Sequence, residues 1–448
     1  MSKVNRVSVA ILSWNGRHHL EHCLEALEQQ QDPGVPWEIL VLDNGSKDGT
    51  AEWMGRRHPT VRLIESPVNL GFCAGNNRLV EAAEGDAVAL LNNDTRPQPQ
   101  WLAALVAGLQ DAPEDVAAVS GCIVNWEGDR LDFGRGLMTF DGHAFQLDFR
   151  RPLAQARIPA LGDELPFACG GNMLVRKASF LEAGGFDESY FAYLEDVDLG
   201  WRLWSGGERI TFVPEAVVHH RSSATSDLLG LYNRGFLFER NAFLTAYKNY
   251  EAGIWQGIMP AVLLTVTSRS QHLMERRNPG GGLLALDPYA GHIADTATPA
   301  AQPGVASPAS ASTASGEASD IHQTRWQRWR AYPKRELLGR GLLKLARKIW
   351  PQAPELTPPC LTDPQTVAHL RAHSYILRHL DPAAESRQAI QRRRRFPDSE
   401  YFARFPAHLI PTYPGDQALF QDPGFRSWLP QDLPLAERQL GEVMEMGE

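Results

Sequence analysis

Residues 37–50 read WEILVLDNGSKDGT, an apolar run that passes directly into a cluster of turn-forming and acidic residues. The run WEILVL has the composition of a buried strand. Asp43 follows it at once, Gly45 permits a tight turn, and the DGT segment at 48–50 can begin a helix, because Asp and Thr are common helix caps. The stretch therefore predicts a strand, a turn that carries a carboxylate, and a helix. An ordinary strand-to-helix turn would have the same composition.

The same alternation continues on both sides of this stretch. Further apolar, β-branched runs occur at 7–13 (VSVAILS), 61–65 (VRLIE) and 87–91 (AVALL), with helical patterns between them. Strands and helices that alternate at this spacing predict an α/β fold with a mainly parallel sheet flanked by helices. Ligands of such sheets bind beyond the carboxyl ends of the strands. The places that directly follow strand ends here are Asn15, Asp43 and residues 92–94.

The middle of the chain has a more mixed pattern. Between residues 116 and 250, strand-like runs surround helical patterns at 177–183, 195–205 and 228–250. We expect one main folded domain over 1–250 and a helical extension over 251–294.

The composition changes sharply after the predicted extension. Residues 295–320 consist mainly of Ala, Ser, Thr, Pro and Gly, which cannot bury enough apolar surface to offset the entropy of ordering, so this segment is predicted to be a flexible linker. Residues 321–448 are expected to be mostly helical, without a motif that indicates their role. Within them, residues 325–350 hold nine Lys or Arg against one acidic residue, interleaved with Trp and Leu. That pattern fits either a basic amphipathic helix on anionic lipid or a solvated helix packed on the main domain.

Charge and cysteine content restrict the class of protein. The chain has 448 residues and a formal net charge of -9, which argues against a general nucleic-acid-binding protein because such proteins carry a basic excess. Its five cysteines match no zinc-binding spacing, so free thiols in a reducing compartment are expected.

The amino-terminal region and the longest apolar stretch bear on localisation. The first residues, MSKVNRVSVAILSWNG, lack the layout of a signal peptide. The apolar stretch 253–266 is shorter than the roughly 20 residues that span a bilayer, and it contains Pro260. We expect a cytoplasmic protein, with peripheral contact at the inner face of the cell membrane through 325–350.

Two acidic segments are candidates for chemistry. Residues 92–94, Asn-Asn-Asp, follow the strand AVALL, and an aspartate there could hold Mg2+ or Mn2+ against a diphosphate, since these hard cations bind one or two carboxylates plus substrate phosphates. The alternative for this segment is an Asx turn. In residues 195–198, Glu-Asp-Val-Asp, one carboxylate could remove a proton from a substrate hydroxyl, or all three could simply favour the positive end of a helix dipole.

Two further segments leave functional and structural readings open. His219 and His220 follow the run AVV and could bind a metal or contact phosphate, although histidines at strand ends are more often structural. Residues 69–77, NLGFCAGNN, begin a helix with small residues, which suits either an anion at the helix start or close packing.

The order of these segments is more specific than any one of them. The succession ILSWNG, VLDNGSKDGT, NLGFCAGNN, LLNNDT, GGFDESYFAYLEDVDLGWRLWSGG and VVHH covers roughly residues 4–250. It resembles the inverting family 2 glycosyltransferases of the GT-A fold, especially the bacterial rhamnosyltransferase-like branch. The resemblance implies that 1–250 is a GT-A catalytic domain that transfers a sugar from a nucleotide-diphosphate donor to an acceptor hydroxyl with inversion, assisted by Mg2+ or Mn2+.

The resemblance also implies a role for individual residues. Asp196 matches the catalytic base, with Glu195 and Asp198 at the acceptor site. Asp94 and His219 match the metal ligands, and His220 is an ambiguous neighbour of the latter. The residues expected to bind the nucleotide sugar are Ser13, Asn15, Asp43, Asn76, Asn92 and Arg202. The chain departs from the family pattern at 92, where Asn replaces the first Asp of a DXD motif, and after His220, where Arg-Ser-Ser replaces glycines and a serine.

Substrates and competing classes follow from the same resemblance. A dTDP- or UDP-sugar is the favoured donor, and a glycan or lipid-linked glycan of polysaccharide or cell-envelope biosynthesis is the expected acceptor. A nucleotidyltransferase would need a Gly-rich, basic loop after the first strand, where this chain has only Gly16 and Arg17. A degenerate transferase serving as a scaffold is the other alternative, and the presence of Asp43, Asp94 and Asp196 argues against it.

Overall fold

The computed structural model describes residues 3–221, 230–277 and 364–444. Residues 1–274 and 363–445 form one compact unit. The predicted linker 295–320 and the basic segment 325–350 lie outside the described residues, and the predicted domain boundaries stay a prediction.

The first half of the chain alternates strands with helices, as the pattern predicts. Its elements in chain order are β1 (Val7–Ser13), α1 (Arg17–Leu27), β2 (Trp37–Asn44), α2 (Thr50–Arg57), β3 (Arg62–Ser66), α3 (Gly71–Ala82), β4 (Ala87–Asn92), β5 (Thr95–Pro97), α4 (Trp101–Asp111) and β6 (Val116–Asn125). The middle part continues with β7 (Leu131–Phe133), β8 (Gly136–Met138), β9 (Ala144–Gln146), β10 (Asn172–Arg176), α5 (Lys177–Ala183), α6 (Glu195–Ser205) and β11 (Arg209–His220).

The rest of the described chain is mainly helical. It comprises α7 (Gly230–Asn249), α8 (Ala252–Arg277), α9 (Pro364–Arg378), α10 (Leu380–Arg393), α11 (Asp398–Arg404), β12 (Ala407–Leu409), α12 (Asp416–Gln421), α13 (Pro423–Arg426), β13 (Leu435–Glu437) and α14 (Leu440–Val443). No helix of the described residues is long and apolar enough to cross a membrane.

One large sheet organises the α/β part, with strand order β3-β2-β1-β4-β10-β6-β11-β5 and β7 beside β6. The strands β3, β2, β1 and β4 are mutually parallel. Strand β10 lies antiparallel between β4 and β6, and β11 pairs in parallel with β6 after a register shift between Val213 and Val217. The predicted α/β class with a helical carboxyl-terminal region is confirmed, and the mixed pattern after residue 116 corresponds to the antiparallel insertion of β10.

The sheet is buried from both sides, which explains the continuous apolar strands. Every residue of the run 7–10 is fully or almost fully buried, and 87–91 is buried throughout. Because both faces are covered by helices, these strands read as apolar runs rather than as an alternating pattern. Their carboxyl ends therefore leave the core at one edge, where the polar residues begin.

A buried polar network attaches the carboxyl-terminal elements to this core. The Arg269 guanidinium on α8 pairs with Asp141 (Nη1–Oδ2 2.7 Å) and with Asp416 at the start of α12 (Nη2–Oδ2 3.1 Å). His143 lies between Asp141 (Nδ1–Oδ2 3.2 Å) and Glu239 of α7 (Nε2–Oε2 3.4 Å). All five side chains are buried. Four separate parts of the chain are thus held together by charge inside the core.

The buried position of His143 makes the stability of this network depend on pH. Burial lowers the pKa of His143, but the charges of Asp141 and Glu239 outweigh it and raise the pKa to about 9. The protonated imidazole stabilises the folded state because its pKa is higher there than in the unfolded chain. This stabilisation is fully present below the unfolded-state pKa near 6.5 and is lost as the pH rises through the folded-state pKa of about 9. We expect the thermal midpoint of the wild type to fall between pH 6.5 and 9.5, reflecting a loss on the order of 3 kcal/mol.

In the matched variant His143→Gln the side chain does not titrate, so the thermal midpoint should fall less steeply between pH 6.5 and 9.5. Scanning calorimetry of both proteins at three pH values measures the difference. Parallel pH profiles would show that His143 is not the titrating group.

Candidate active site

The loops after β1 and β2 are joined directly to each other. The backbone N–H of Asn15 donates to Ser46 Oγ (2.8 Å), and Lys47 N–H donates to Asn15 Oδ1 (2.7 Å). Asp43, buried at the end of β2, accepts a hydrogen bond from Ser46 N–H at 3.0 Å. Asn15 adopts a left-handed φ of 50°, which a short polar side chain tolerates. The two expected nucleoside-binding residues, Asn15 and Asp43, therefore lie in one polar wall.

The loop after β4 is held against β1 and against the residues before β10. Asn93 Nδ2 donates to Ser13 Oγ at 3.1 Å, so Ser13 is fully buried and already bonded within the protein. Asn92 N–H donates to the carbonyl of Gly171 at 3.2 Å. A Cβ atom on Gly171 would lie 2.7 Å from Asn92 Nδ2, and one on Gly16 would lie 2.3 Å from Asn93 Nδ2. A side chain at either position would therefore force the facing Asn amide to move.

Asp94 forms an ion pair with His220, and His220 also pairs with a second carboxylate. His220 Nε2 lies 3.3 Å from Asp94 Oδ1, and His220 Nδ1 lies 2.7 Å from Asp132 Oδ2. Burial raises the pKa of Asp94, but the hydrogen bond and charge of His220 outweigh it and hold that pKa below its usual range. Burial lowers the pKa of His220, whereas its two carboxylate partners raise it to about 10.

His219 lies on the other side of the strand. Its Nε2 is 3.3 Å from Gln98 Nε2 and its Nδ1 is 3.2 Å from the carbonyl of Trp126. Successive side chains of a strand point to opposite faces, so only one of the two histidines can meet Asp94. The histidine beside Asp94 is therefore His220, the ambiguous neighbour, and not His219, which the sequence assigned to the metal.

The Asp94–His220 pair is the part of the site that could hold a cation. Its two ligand atoms are 3.3 Å apart, close to the separation of about 3 Å that octahedral bonds of about 2.1 Å require. A metal-binding histidine usually donates its other ring N–H to a carboxylate, and Asp132 stands in that position. Among the described residues, no group of three or more His, Cys, Asp or Glu side chains could hold a metal. The residues fit a cation that takes its remaining ligands from substrate and water.

The acidic pair at the start of α6 differs in the environment of its two members. Asp196 Oδ2 accepts from Gly170 N–H at 3.1 Å, and Asp196 Oδ1 accepts from Val197 N–H at 2.9 Å. Glu195 is 7% exposed, and its Oε2 has no hydrogen-bond partner in the described part of the chain. Burial raises the pKa of both carboxyl groups, and the charge of Asp196 raises that of Glu195 further. The rise is larger for the pKa of Glu195, so Glu195 is the member of the pair that takes up a proton more readily.

Asp198 and Arg202, which the sequence predicts at the acceptor and nucleotide-sugar sites, bond to each other inside the protein. Asp198 is completely buried and accepts from Arg202 Nε at 2.8 Å; Lys248 Nζ is 3.2 Å away. The two Arg202 Nη atoms donate to the carbonyls of Ala183 (2.6 Å) and Gly185 (2.7 Å). These buried groups therefore satisfy one another's charges and hydrogen bonds.

Asn76 is also turned into the protein. It is 2% exposed, and its Nδ2 donates to the carbonyl of Phe72 in its own helix α3 at 2.9 Å. The position that the sequence assigned to nucleotide binding therefore presents little surface to a ligand.

A continuous set of contacts joins the strand-end loops to the acidic pair. It passes from the Asp43 turn through Asn15 to the Ser13–Asn93 bond, and from Asn92 through Gly171 and Gly170 to Asp196, as the hydrogen bonds above show. Sequence reasoning missed two parts of the site, the glycine pair of this set and Asp132 beside His220. The glycine pair at 170–171 was detectable as a close-approach signal before a strand, whereas Asp132 lies in an apolar strand without any distinguishing pattern.

The sequence of this chain is similar to those of known glycosyltransferases. The family model described as Glycosyl transferase family 2 matches residues 8–184. The N-acetylglucosaminyl-diphospho-decaprenol L-rhamnosyltransferase of Mycobacterium tuberculosis is 32% identical over 237 residues, which cover 48% of this chain and 76% of that protein. Glycosyltransferase AglE of Haloferax volcanii is 31% identical over 234 residues, covering 50% and 69% respectively.

Solved structures show a more distant likeness. GalNAc-T7 with UDP, GalNAc and Mn2+ has a TM-score of 0.45 and 15% identity, and the match covers 59% of this chain and 52% of that one. The mannosyltransferase PcManGT from Pyrobaculum calidifontis, in complex with GDP-Man and Mn2+, has a TM-score of 0.37 and 17% identity, covering 65% and 84%. The family match and the extent of the sequence relationship to the mycobacterial enzyme lead to one assignment: this chain is a glycosyltransferase and belongs to family 2.

Proposed function

We propose that this glycosyltransferase moves a sugar from a nucleotide-diphosphate donor to an acceptor hydroxyl, with inversion at the anomeric carbon and with Mg2+ or Mn2+ beside the donor diphosphate. The observation that carries the proposal is the joining of the β1, β2 and β4 strand-end loops to the Glu195–Asp196 pair through Gly170 and Gly171. Nucleotide-binding groups, a cation-binding pair and a carboxylate base are thereby brought to one edge of the sheet.

The donor would lie across the strand ends. Asn15 and Asp43 line the wall formed by the first two loops and would contact the nucleoside. Asp94 and His220 would hold the divalent cation, with Asp132 orienting the imidazole. When bound there, the cation supplies Lewis-acid stabilisation of the charge that develops on the departing diphosphate. A dTDP- or UDP-sugar is the proposed donor.

Asp196 would act as the general base. The raised pKa of Asp196 brings it closer to neutral pH, which favours proton transfer, while the pKa of Glu195 beside it is raised further by burial and by the charge of Asp196. Asp196 accepts the proton of the acceptor hydroxyl as the hydroxyl oxygen bonds to the anomeric carbon. The bond from that carbon to the diphosphate oxygen breaks on the opposite face, so the configuration inverts. Glu195 would line the acceptor side.

The acceptor class is inferred from the relatives. The mycobacterial relative is named for transfer of L-rhamnose to N-acetylglucosaminyl-diphospho-decaprenol. That name supports a glycan carried on a lipid diphosphate as the acceptor for this chain as well. Such an acceptor would bring the enzyme to the cytoplasmic surface of the membrane, where the basic segment 325–350 would meet anionic headgroups.

Asp196→Asn tests the base assignment. The amide cannot take up the proton, so we expect kcat to fall by about 10²–10⁴-fold while donor binding stays within about twofold. Release of nucleoside diphosphate from UDP-glucose and dTDP-L-rhamnose measures turnover, and calorimetry with UDP and MnCl2 measures binding.

Glu195→Gln is the matched comparison for this variant. Since Glu195 has the more strongly raised pKa of the pair, its replacement by an amide should retain turnover within about tenfold of the wild type. The reverse result, an inactive Glu195→Gln with an active Asp196→Asn, would assign the base to Glu195 instead.

Asp94→Ala and Asp132→Asn test the cation site without reference to activity. We expect UDP binding in the presence of MnCl2 to weaken by about 10–100-fold when Asp132 loses its charge, and by at least as much when Asp94 is removed. In EDTA, both variants should bind UDP as the wild type does, because their effect acts through the cation.

The exposed Asp32, which contacts only its own turn through Gly34 N–H, supplies the control Asp32→Asn. This variant should match the wild type with and without MnCl2. If UDP affinity depended on MnCl2 equally in the wild type and in Asp94→Ala, Asp94 would not be a ligand of the cation.

A further inference from the structure

The segment that leads into the acidic pair has an unusual backbone. Phe191, Tyr193 and Leu194 have φ angles of 65°, 72° and 64°, a left-handed conformation that residues with side chains rarely adopt. Leu194 directly precedes Glu195, so any relaxation of this segment moves the start of α6. Conformations of this kind persist only where the surroundings impose them.

Asn241 on α7 imposes this conformation with one side-chain nitrogen. Its Nδ2 donates to the carbonyls of Tyr190 (3.2 Å), Ala192 (2.8 Å) and Tyr193 (2.7 Å). Asn241 is completely buried. An amide nitrogen has two hydrogens, so three carbonyls converge on a single donor group and their positions are fixed relative to one another.

Neighbouring groups orient Asn241 and hold the segment from the opposite side. Arg240 Nε donates to Asn241 Oδ1 at 2.9 Å, and Arg240 Nη2 donates to the carbonyl of Tyr190 at 2.7 Å. From α3, Phe72 N–H and Cys73 N–H donate to the carbonyl of Phe191 at 2.6 and 3.2 Å. Every carbonyl from residue 190 to 193 is therefore held by α7 or by the first turn of α3.

We infer that Asn241 is a positioning residue of the reaction, which keeps Asp196 in register with the donor by fixing the backbone of residues 190–194. The inference rests on the proposed role of Asp196 as the base. Asn241 bonds to carbonyls of the segment and not to substrate, so it acts through the placement of the acidic pair. A misplacement of about 1 Å in a reacting group can lower turnover by about 100-fold.

The test compares Asn241→Leu with a control that loses an equivalent interaction elsewhere. Gln391 on α10 also uses one amide nitrogen to bond three consecutive carbonyls, those of Lys248, Asn249 and Tyr250 at 3.0–3.2 Å. Gln391→Met removes that interaction at the far end of α7 and leaves the hydrogen bonds of Asn241 to the carbonyls of Tyr190, Ala192 and Tyr193 in place. Both substitutions conserve side-chain size approximately and remove the amide.

We expect Asn241→Leu to lower kcat for nucleoside diphosphate release by about 100-fold, with UDP–Mn2+ affinity within about twofold of the wild type. Gln391→Met should lower the thermal midpoint comparably while leaving kcat within about threefold of the wild type. Should Asn241→Leu not fold, Asn241→Ser, which keeps one donor, is measured instead and should show the same selective loss of kcat.

Three results would overturn the inference, and they are distinguishable. If the Asn241 variant keeps the wild-type kcat while Asp196→Asn is inactive, Asn241 is not a positioning residue, and the assignment of Asp196 as the base stands. Loss of kcat and UDP affinity together, or an equal loss of kcat in Gln391→Met, shows a general structural role. If Asp196→Asn keeps the wild-type kcat, Asp196 is not the base, and the positioning role of Asn241, which depends on that assignment, is refuted with it.

Discussion

The loop after β4 is held between β1 and β10 by hydrogen bonds and by close contact with two glycines. Asn93 bonds to Ser13, and Asn92 N–H donates to the carbonyl of Gly171. Gly16 faces the Asn93 amide and Gly171 faces the Asn92 amide, and a Cβ atom at either place would force that side chain to move. From this loop Asp94 pairs with His220, and Gly170, next to Gly171, bonds to Asp196.

The buried carboxylates of α6 differ in whether a cation pairs with them. Asp198 pairs with Arg202 and Lys248 within the core, Lys248 also pairs with Asp187, and these contacts join α6 to α7. Removal of one member would leave a buried charge without its partner, which is strongly destabilising. Glu195 and Asp196 lie one turn or less away on the same helix, yet no cation pairs with them in the described residues. The pKa values of Glu195 and Asp196 are therefore raised by burial, whereas the cations beside Asp198 hold its pKa below the usual range.

Most of the fold could be predicted from the sequence, but only part of the site. The buried strand 7–13 and the helices 177–183 and 195–205 have the predicted bounds, because their apolar periodicity and turn residues are local. The convergence of the strand-end loops follows from parallel topology. The side of the strand taken by His219 could not be predicted, since a one-residue change of register reverses every side chain. Asp198 and Arg202 have the spacing of a helical ion pair, but a spacing does not reveal whether the pair faces the core.

Three consecutive residues of α7 serve different neighbours. Glu239 belongs to the charged network with His143, and Tyr413 OH donates to it at 2.6 Å, whereas Arg240 and Asn241 hold the backbone before α6. The carboxyl-terminal part of the chain is therefore not an interchangeable module attached to a self-sufficient catalytic domain. A chimera that exchanged this part between family members would need to carry α7 and its facing loops with it, so these segments are expected to be inherited as one block.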